Sequence, residues 1–449
     1  MTQKETLFEL PELPMSEEST RGHGVPRLVR VCRDQYEMKN ACLNDLISED
    51  HPVRAVWDYV CTLDLAKVLN NIKSVEGGVG RPAIDPKVLV TLWLYATVDG
   101  VGSARLLAKL TEEHKAYQWI CGGIDMDRKT ISDFRTDAGD LFDDLLVQGV
   151  VTLAKAKLVK VKEVIQDGMR VRAGAAKGSF RRLDTLRELH KGVQDWIKVL
   201  RQEVEDDPRK CLDLKQAAKT AAANERAQRL ENAMKQVEKF VEEKQANRKK
   251  HKKKVLTPEE IKEVRVSTTD PEARIMKMPN GGFSPAYNFQ FGIDPESQIV
   301  LSATVTNSGR DAGQLLPMFD DIKSKYNTQP DRYIVDGGFV SKEDIKELAQ
   351  RGCDIYAPVA KSRQSKHGSI NIKRTPKREP AVEEWIDRMK KEESRKIYGR
   401  RMLVELVNAH MRNRGLNQLV VRGLAKAKII ASMFAVAYNM TRSFALGIA

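Results

Sequence analysis

The spacing of apolar residues changes along the chain, and that change restricts which folds are open to it. From residue 183 onward, Leu186, Leu189, Val193, Trp196 and Leu200 recur at alternating intervals of three and four, the pattern of a helix seam that packs on a second helix. Asp206-Asp207-Pro208 interrupts the pattern. Leu230, Met234, Val237 and Val241 then resume it, ahead of a cationic block at residues 248–254. The reading is an antiparallel helical hairpin with a basic end, the block being either a solvated linker or a contact for phosphates. Beyond Val264 the period becomes that of strands and βα units. The runs 287–293 and 298–306, separated by Asp294-Pro295, predict a β-hairpin. A helix starting at Asp311, a strand over 333–336, a helix over 342–351 and a strand over 353–359 follow.

The segment ahead of the hairpin reads as helical. Residues 1–50 mix Pro, Gly, Ser and scattered charges and are expected to form a flexible arm. Asp85-Pro86 is an N-cap followed by proline at the first helical position, and the helix it opens should end at Gly100. A second helix is expected from Ser103 to about Trp119, and a third from Asp127, with Arg128, Lys129 and Arg135 on its exposed side. Helix, turn and basic helix resemble a DNA-reading arrangement, although a plain three-helix bundle gives the same pattern. Gly80-Arg81-Pro82 could hook a minor groove or simply lead into the capped helix.

Length bounds the rest: 449 residues suggest two to four domains at roughly 100–200 residues each. Lys and Arg number 76 against 62 Asp and Glu, giving a formal charge of +14, which favours a polyanionic partner. Residues 361–414 alone hold 16 basic against 7 acidic side chains. The longest apolar stretches, near 89–98 and 429–437, fall short of the roughly 20 residues that cross a bilayer, so no membrane role is expected. Residues 1–30 hold no apolar signal-peptide core. The six cysteines are dispersed with no Cys-x-x-Cys pair, which fits reduced thiols in the cytoplasm.

Two β-prone runs end in an acid. Residues 161–167 end at Asp167, and residues 332–336 end at Asp336, followed by Gly337-Gly338. At the carboxyl end of strands in an α/β sheet ligands gather, and the glycines allow close approach. Glu405 is a third acid, on a helical segment dense in positive charge. Two magnesium ions about 3.5–4 Å apart can stabilise both the attacking and the leaving oxygen of a phosphoryl displacement. Two Asp and one Glu are the hard oxygen donors such ions need. Without further pattern, the same acids would read as loop starts and a surface residue. Asp294, Asp311 and Asp354 are competing acids, expected in a turn, at a helix cap and early in a strand. His410, on the Glu405 helix, could be catalytic but reads more readily as a surface residue or phosphate contact.

The further pattern is Tyr398, Arg401, Glu405 and Arg412, with two, three and six intervening residues. It resembles the Tyr-Arg-Glu-Lys signature of bacterial insertion-sequence DDE transposases of the four/five superfamily. Asp336-Gly337-Gly338-Phe339, the strand Tyr287-Asn288-Phe289-Gln290 and the closing Leu419-Val420-Val421-Arg422-Gly423-Leu424 are also similar to that family. Arg412 replaces the usual Lys, Phe339 stands where Tyr is commoner, and Met169 where a small hydroxyl residue is frequent.

The resemblance implies an α/β fold: a ribonuclease-H-like mixed sheet core flanked by helices, with an all-α N-terminal domain and an inserted helical hairpin. The domains would then be an arm at 1–50, a DNA-binding domain at 51–160 and a catalytic domain at 161–449 interrupted by the hairpin at 181–262. It also implies a catalytic, metal-holding triad of Asp167, Asp336 and Glu405, loaded with two Mg2+ ions or with Mn2+ in their place. Tyr398, Arg401 and Arg412 would contact DNA. The implied activity is cleavage at terminal inverted repeats of double-stranded DNA and strand transfer into a target. A homodimer in the DNA complex and a nucleoid-associated, cytoplasmic location follow. Two rivals stay open, a catalytically inactive DNA-binding regulator and a ribonuclease-H-like nuclease.

Overall fold

Aspartate and proline open the first long helix as the sequence requires. Asp85 accepts from the Lys87 amide at 2.8 Å, and Pro86 begins a helix that ends at Val98. The computed structural model describes residues 42–75, 82–207, 213–250, 254–359 and 379–447. Gly80-Arg81 and residues 361–378 of the basic segment 361–414 lie outside the described residues, as does nearly all of the N-terminal arm.

Seven helices come first: α1 Pro52–Cys61, α2 Ala66–Leu69, α3 Pro86–Val98, α4 Ala104–Glu113, α5 Lys115–Cys121, α6 Arg128–Thr136 and α7 Leu141–Lys155. The helix expected over 103–119 is two helices. The chain turns extended at His114, whose ring nitrogen caps the second by accepting from Ala116 N. Order also begins earlier than His51, because the compact unit starts at Leu43. There Asn44 accepts from Trp119 Nε1 at 2.9 Å and from Arg54.

Strand β1 covers Glu163–Arg172 and ribbon strand β2 Phe180–Arg182; helices α8 Leu183–Asp206 and α9 Leu214–Lys250 follow. After α10 Pro258–Lys262, β3 Arg265–Ser267 pairs antiparallel with β2. This ribbon ties the two ends of the hairpin together, so the insertion leaves the main sheet intact although it separates Asp167 from Asp336 by 169 positions. The seam differs in one place: Leu186, Val193 and Leu200 are buried as expected, but Ile197 fills the core and Trp196 points outward, half exposed.

The rest of the chain is β4 Arg274–Lys277, β5 Phe283–Ile293, β6 Val300–Thr306, α11 Leu315–Tyr326, β7 Arg332–Ile334, α12 Lys342–Gln350, β8 Asp354–Tyr356, α13 Pro380–Lys390, α14 Glu392–Gly399, α15 Met402–Asn413 and α16 Leu424–Ala445. The main sheet is mixed. Strands β6, β5 and β1 are antiparallel neighbours, whereas β1, β7 and β8 run parallel, and β4 pairs with the outer part of β5. The expected hairpin around Asp294-Pro295 is β5–β6.

Helix α16 explains the apolar run at 429–437. It is buried along most of its length against β6, α7 and α3. Asn439 donates to Val300 O and accepts from Val300 N, both at 2.8 Å, and so covers backbone groups at the start of β6. One apolar core runs through the N-terminal helices, the sheet and α16, so the change near residue 160 is one of element type and not a break in packing. No helix among the described residues is long and apolar enough to cross a membrane.

Candidate active site

The register of the parallel strands puts the two aspartates at equivalent positions on neighbouring strands. Ile165 pairs with Ile334, so Asp167 and Asp336 each lie two residues beyond that last pair. Strand β1 does not end at Asp167 as the sequence suggested. It continues to Arg172 by pairing with β5, where Asp167 faces Phe291. Asp167 therefore sits where β7 has stopped and β1 has not, at an opening in the sheet edge.

Helix α15, whose buried residues are Val404, Val407, Asn408 and Met411, packs on β1 and delivers the remaining groups. The Tyr398–Arg412 signature does not lie on one continuous helix. Gly399 ends α14, a turn at Arg400-Arg401 follows, and α15 begins at Met402. Arg400 pins this turn to the start of β1 by pairing with Glu163 at 2.8 Å. Tyr398, on the preceding helix, donates to Asp336 Oδ1 across 3.4 Å. Arg401 donates to Glu405 Oε1 at 2.6 Å.

The groups act on one another electrostatically. Burial works to lower the Arg401 pKa, but Asp336, Glu405, Tyr398 and Asp167 outweigh it and hold the guanidinium above its ordinary value. Asp167 is pushed up to about 6, first by burial and then by the like charges of Asp311 and Glu405; a backbone bond from Gly168 and the charge of Arg401 oppose the rise only in part. Asp336 and Glu405 are exposed and Asp167 half-buried.

The donor chemistry suits a hard divalent cation: three carboxylates, one of them under-compensated, around a point where positive charge collects. Arg401 supplies the positive charge here. Among the described residues no three such ligands are gathered closely enough to hold an ion as they stand, so Glu405 would have to leave Arg401 to join the aspartates.

One participant was not singled out from sequence, and another, Asp311, was assigned a different place. Asn408, one turn beyond Glu405 and fully buried, donates to Asp167 Oδ2 at 3.0 Å, and its own Oδ1 has no partner among the described residues. The spacing of three from Glu405 was its only signal. Asp311 was expected to cap a helix, but α11 begins at Leu315 with Gln314 at its cap. Asp311 instead accepts from Asn288 at 2.7 Å and Gln290 at 3.0 Å and pairs with Arg170 at 3.2 Å. A Cβ at position 168 would come within 2.4 Å of Asp311 Oδ1, so glycine is required where this network meets β1. Asn288, Gln290 and Gln166, polar residues at alternate positions of otherwise apolar strands, were the available sign.

Of the other acids, Asp294 accepts from Ser297 N and Oγ within its turn, and Asp354 pairs with Arg388 at 2.5 Å. His410 is exposed with its ring against Tyr438. Arg412 is half-buried and makes no ion pair among the described residues. On α6, Arg128 and Lys129 are exposed, but Arg135 is not: it is 4% exposed, one turn from buried Ile131. Its guanidinium lies 4.0 Å over the Trp93 ring and donates to Gly102 O at 2.6 Å, and burial draws its pKa down to about 10. The helix face that carries Ile131 inward carries Arg135 with it, so its expected place on the exposed face is corrected.

Two family models match the chain: a Transposase DDE domain over residues 262–440 and a Transposase domain (DUF772) over residues 41–137. Both are transposase domains, and together they support a transposase of the DDE type. Asp336, Tyr398, Arg401, Glu405 and Arg412 fall in the first match and Arg128, Lys129 and Arg135 in the second, whereas Asp167 falls in neither. No curated protein and no solved structure matches the chain.

Proposed function

We propose that this chain is the transposase of an insertion sequence of the four/five superfamily with a Tyr-Arg-Glu-Lys-type signature, binding the terminal inverted repeats of its element and performing strand cleavage and strand transfer. The observation that carries this is a chain of contacts around the acids, Arg401 to Glu405 at 2.6 Å, Tyr398 to Asp336 at 3.4 Å and Asn408 of the Glu405 helix to Asp167 at 3.0 Å, which draws together positions spread over 239 residues (405 − 167 + 1). The strand order, three antiparallel strands followed by two parallel ones, supports a ribonuclease-H-like core. The boundaries proposed are those of the sequence reading, 51–160 and 161–449 with the hairpin inserted.

Asp167, Asp336 and Glu405 would hold the divalent ions, magnesium or manganese as a pair, which when bound supply charge stabilisation at the attacking and leaving oxygens. Arg401 holds Glu405 in place until a DNA phosphate competes for the guanidinium, which forms bidentate bonds to phosphate as readily as to carboxylate. That exchange frees Glu405 when substrate is present. Tyr398 and Arg401 then clamp phosphates beside the scissile bond, and Arg412 holds the backbone further along. Asn408 fixes the Asp167 carboxylate. Arg128 and Lys129 contact the duplex backbone at the N-terminal helices, which read the repeat. Two ends must be held at once, so the working species is a homodimer on DNA in the nucleoid.

The test uses purified protein with Mg2+ and linear DNA carrying the inverted repeats that flank the gene. Wild type should nick at the repeat ends and join them to a target, and Asp167→Asn should bind but not cut. Equal cutting by the two proteins rejects the metal assignment, and cutting without joining favours the nuclease rival.

A further inference from the structure

The inserted hairpin has a second stripe that its own packing uses only in part: Leu189 packs against the hairpin core, whereas Trp196 and Val199 are left exposed. The core between α8 and α9 is built from Leu186, Val193, Ile197 and Leu200 against Ala223, Ala227, Leu230, Ala233 and Val237. Roughly a quarter-turn around α8, Thr185, Leu189, Gly192, Trp196 and Val199 form another series spaced by four, three, four and three residues. Trp196 is 50% and Val199 47% exposed. Between this stripe and α9 runs a groove of about 630 Å³, floored by Ala222 and Ala223.

We propose that a second copy of this chain docks here, hairpin against hairpin about a two-fold axis, giving a four-helix bundle. Three observations favour a copy of the same chain over another occupant. The rims of the groove carry opposite charge, Glu188 on α8 and Lys219 with Arg226 on α9. None of these three makes an ion pair among the described residues. A two-fold axis sets the acidic rim of each copy against the basic rim of the other, the self-complementarity an isologous contact requires.

The shapes are reciprocal as well, since the large Trp196 projects from one helix and small Ala222 and Ala223 line the next. The same axis seats each indole on the alanine floor opposite. Gly192 also lies in the middle of a 24-residue helix, where glycine is unfavourable, yet nothing lies within 4 Å of where its Cβ would be. No contact among the described residues calls for glycine there, and close approach of a second helix does. The proposal stands apart from the transposition chemistry, because it concerns a surface on the insertion and is read without DNA.

Sedimentation equilibrium of the full chain in physiological salt, at tens of micromolar and without DNA, should give twice the mass of one chain. Trp196→Glu and Ala222→Glu, both at exposed positions, should give a single-chain mass with an unchanged circular dichroism spectrum. Glu188→Lys should weaken the dimer about tenfold or more, since it opposes like charges across the axis. Combining it with Lys219→Glu and Arg226→Glu should restore association. A monomeric wild type overturns the proposal. So does a dimer that persists in folded Trp196→Glu, or a charge exchange that fails to restore pairing.

Discussion

The side-chain amide of Asn408 donates to Asp167 Oδ2 at 3.0 Å, and Asn408 is carried one turn beyond Glu405 on the same helix. One half-buried bond thus couples the strand that bears the first acid to the helix that bears the third. If α15 shifts along β1, the separation of Asp167 and Glu405 changes with it, and with that separation the capacity to share a cation.

Asn408→Ala should therefore impair cleavage more than it impairs folding. Losing a half-buried bond to a carboxylate costs on the order of 1–3 kcal/mol of stability, which thermal denaturation will read. The specific signature is in the metal dependence. The Mg2+ concentration needed for half-maximal nicking should rise, and high Mg2+ should recover part of the rate. A variant that loses stability with its metal requirement unchanged would show Asn408 to be only a packing residue.

Asp167→Asn should abolish cleavage and raise the stability of the metal-free protein. The folded-state pKa of about 6 lies above the ordinary 3.8, with burial the largest cause, so the folded protein holds this proton more tightly than the unfolded chain does. The charged form consequently costs stability above pH 6, and the cost fades as pH falls through 6 and is gone below about 4. The difference converts to on the order of 3 kcal/mol at neutral pH and above. In chelator, the variant's denaturation midpoint should exceed that of wild type at pH 8 and meet it near pH 4. Parallel curves across that range would contradict an under-compensated charge at this position.

Much of this arrangement is visible in the chain itself, and the exceptions have physical causes. Caps and prolines marked α3, α6 and the β5–β6 turn because they act locally, through bonds of two or three residues' reach. The extent of β1 was hidden because Gly168 and Arg170 do not read as strand, and their pairing with Gln290 and Asn288 of β5 exists only once the sheet is assembled. Trp196 and Ile197 both satisfy a seam spacing, and only the angle of α9 selects Ile197. The break before Arg401 was announced by Gly399, but the spacing of the signature itself fits an unbroken helix. Arg135 misled because charge predicts exposure, whereas a guanidinium can be buried when a ring face and a carbonyl receive it. The three acids were found by motif, and what brings them together is register and helix packing, which no local pattern carries.

Arg401→Gln should leave the fold intact, since the side chain is only partly buried and its ion pair with Glu405 is largely exposed. Activity should fall by about 10²–10³, the order seen when one donor to developing charge is removed. Because Arg401 also restrains Glu405, Arg401→Lys should keep the charge yet recover little of the rate: an ammonium cannot span two oxygens in the plane of a carboxylate or phosphate. Single-turnover nicking at saturating DNA measures this. Full recovery by lysine would reduce Arg401 to a point charge.

The two ends of helix α6 should separate into different roles under one substitution. Arg128→Ala and Lys129→Ala remove exposed side chains from the first turn, so the denaturation midpoint should move little. Each should weaken binding to repeat and unrelated DNA alike and reduce the slope of log affinity against log salt by about one. Arg135→Ala removes the group stacked on Trp93 and bonded to Gly102 O. That should destabilise the N-terminal helices by on the order of 2 kcal/mol, with DNA affinity lost only in proportion to the unfolded fraction. Fluorescence anisotropy on labelled duplex across a salt series, alongside thermal melts of the same samples, separates the two behaviours. If Arg135→Ala instead lowers the salt slope while the melt stays unchanged, its guanidinium reaches DNA after all, and the burial seen here opens on binding.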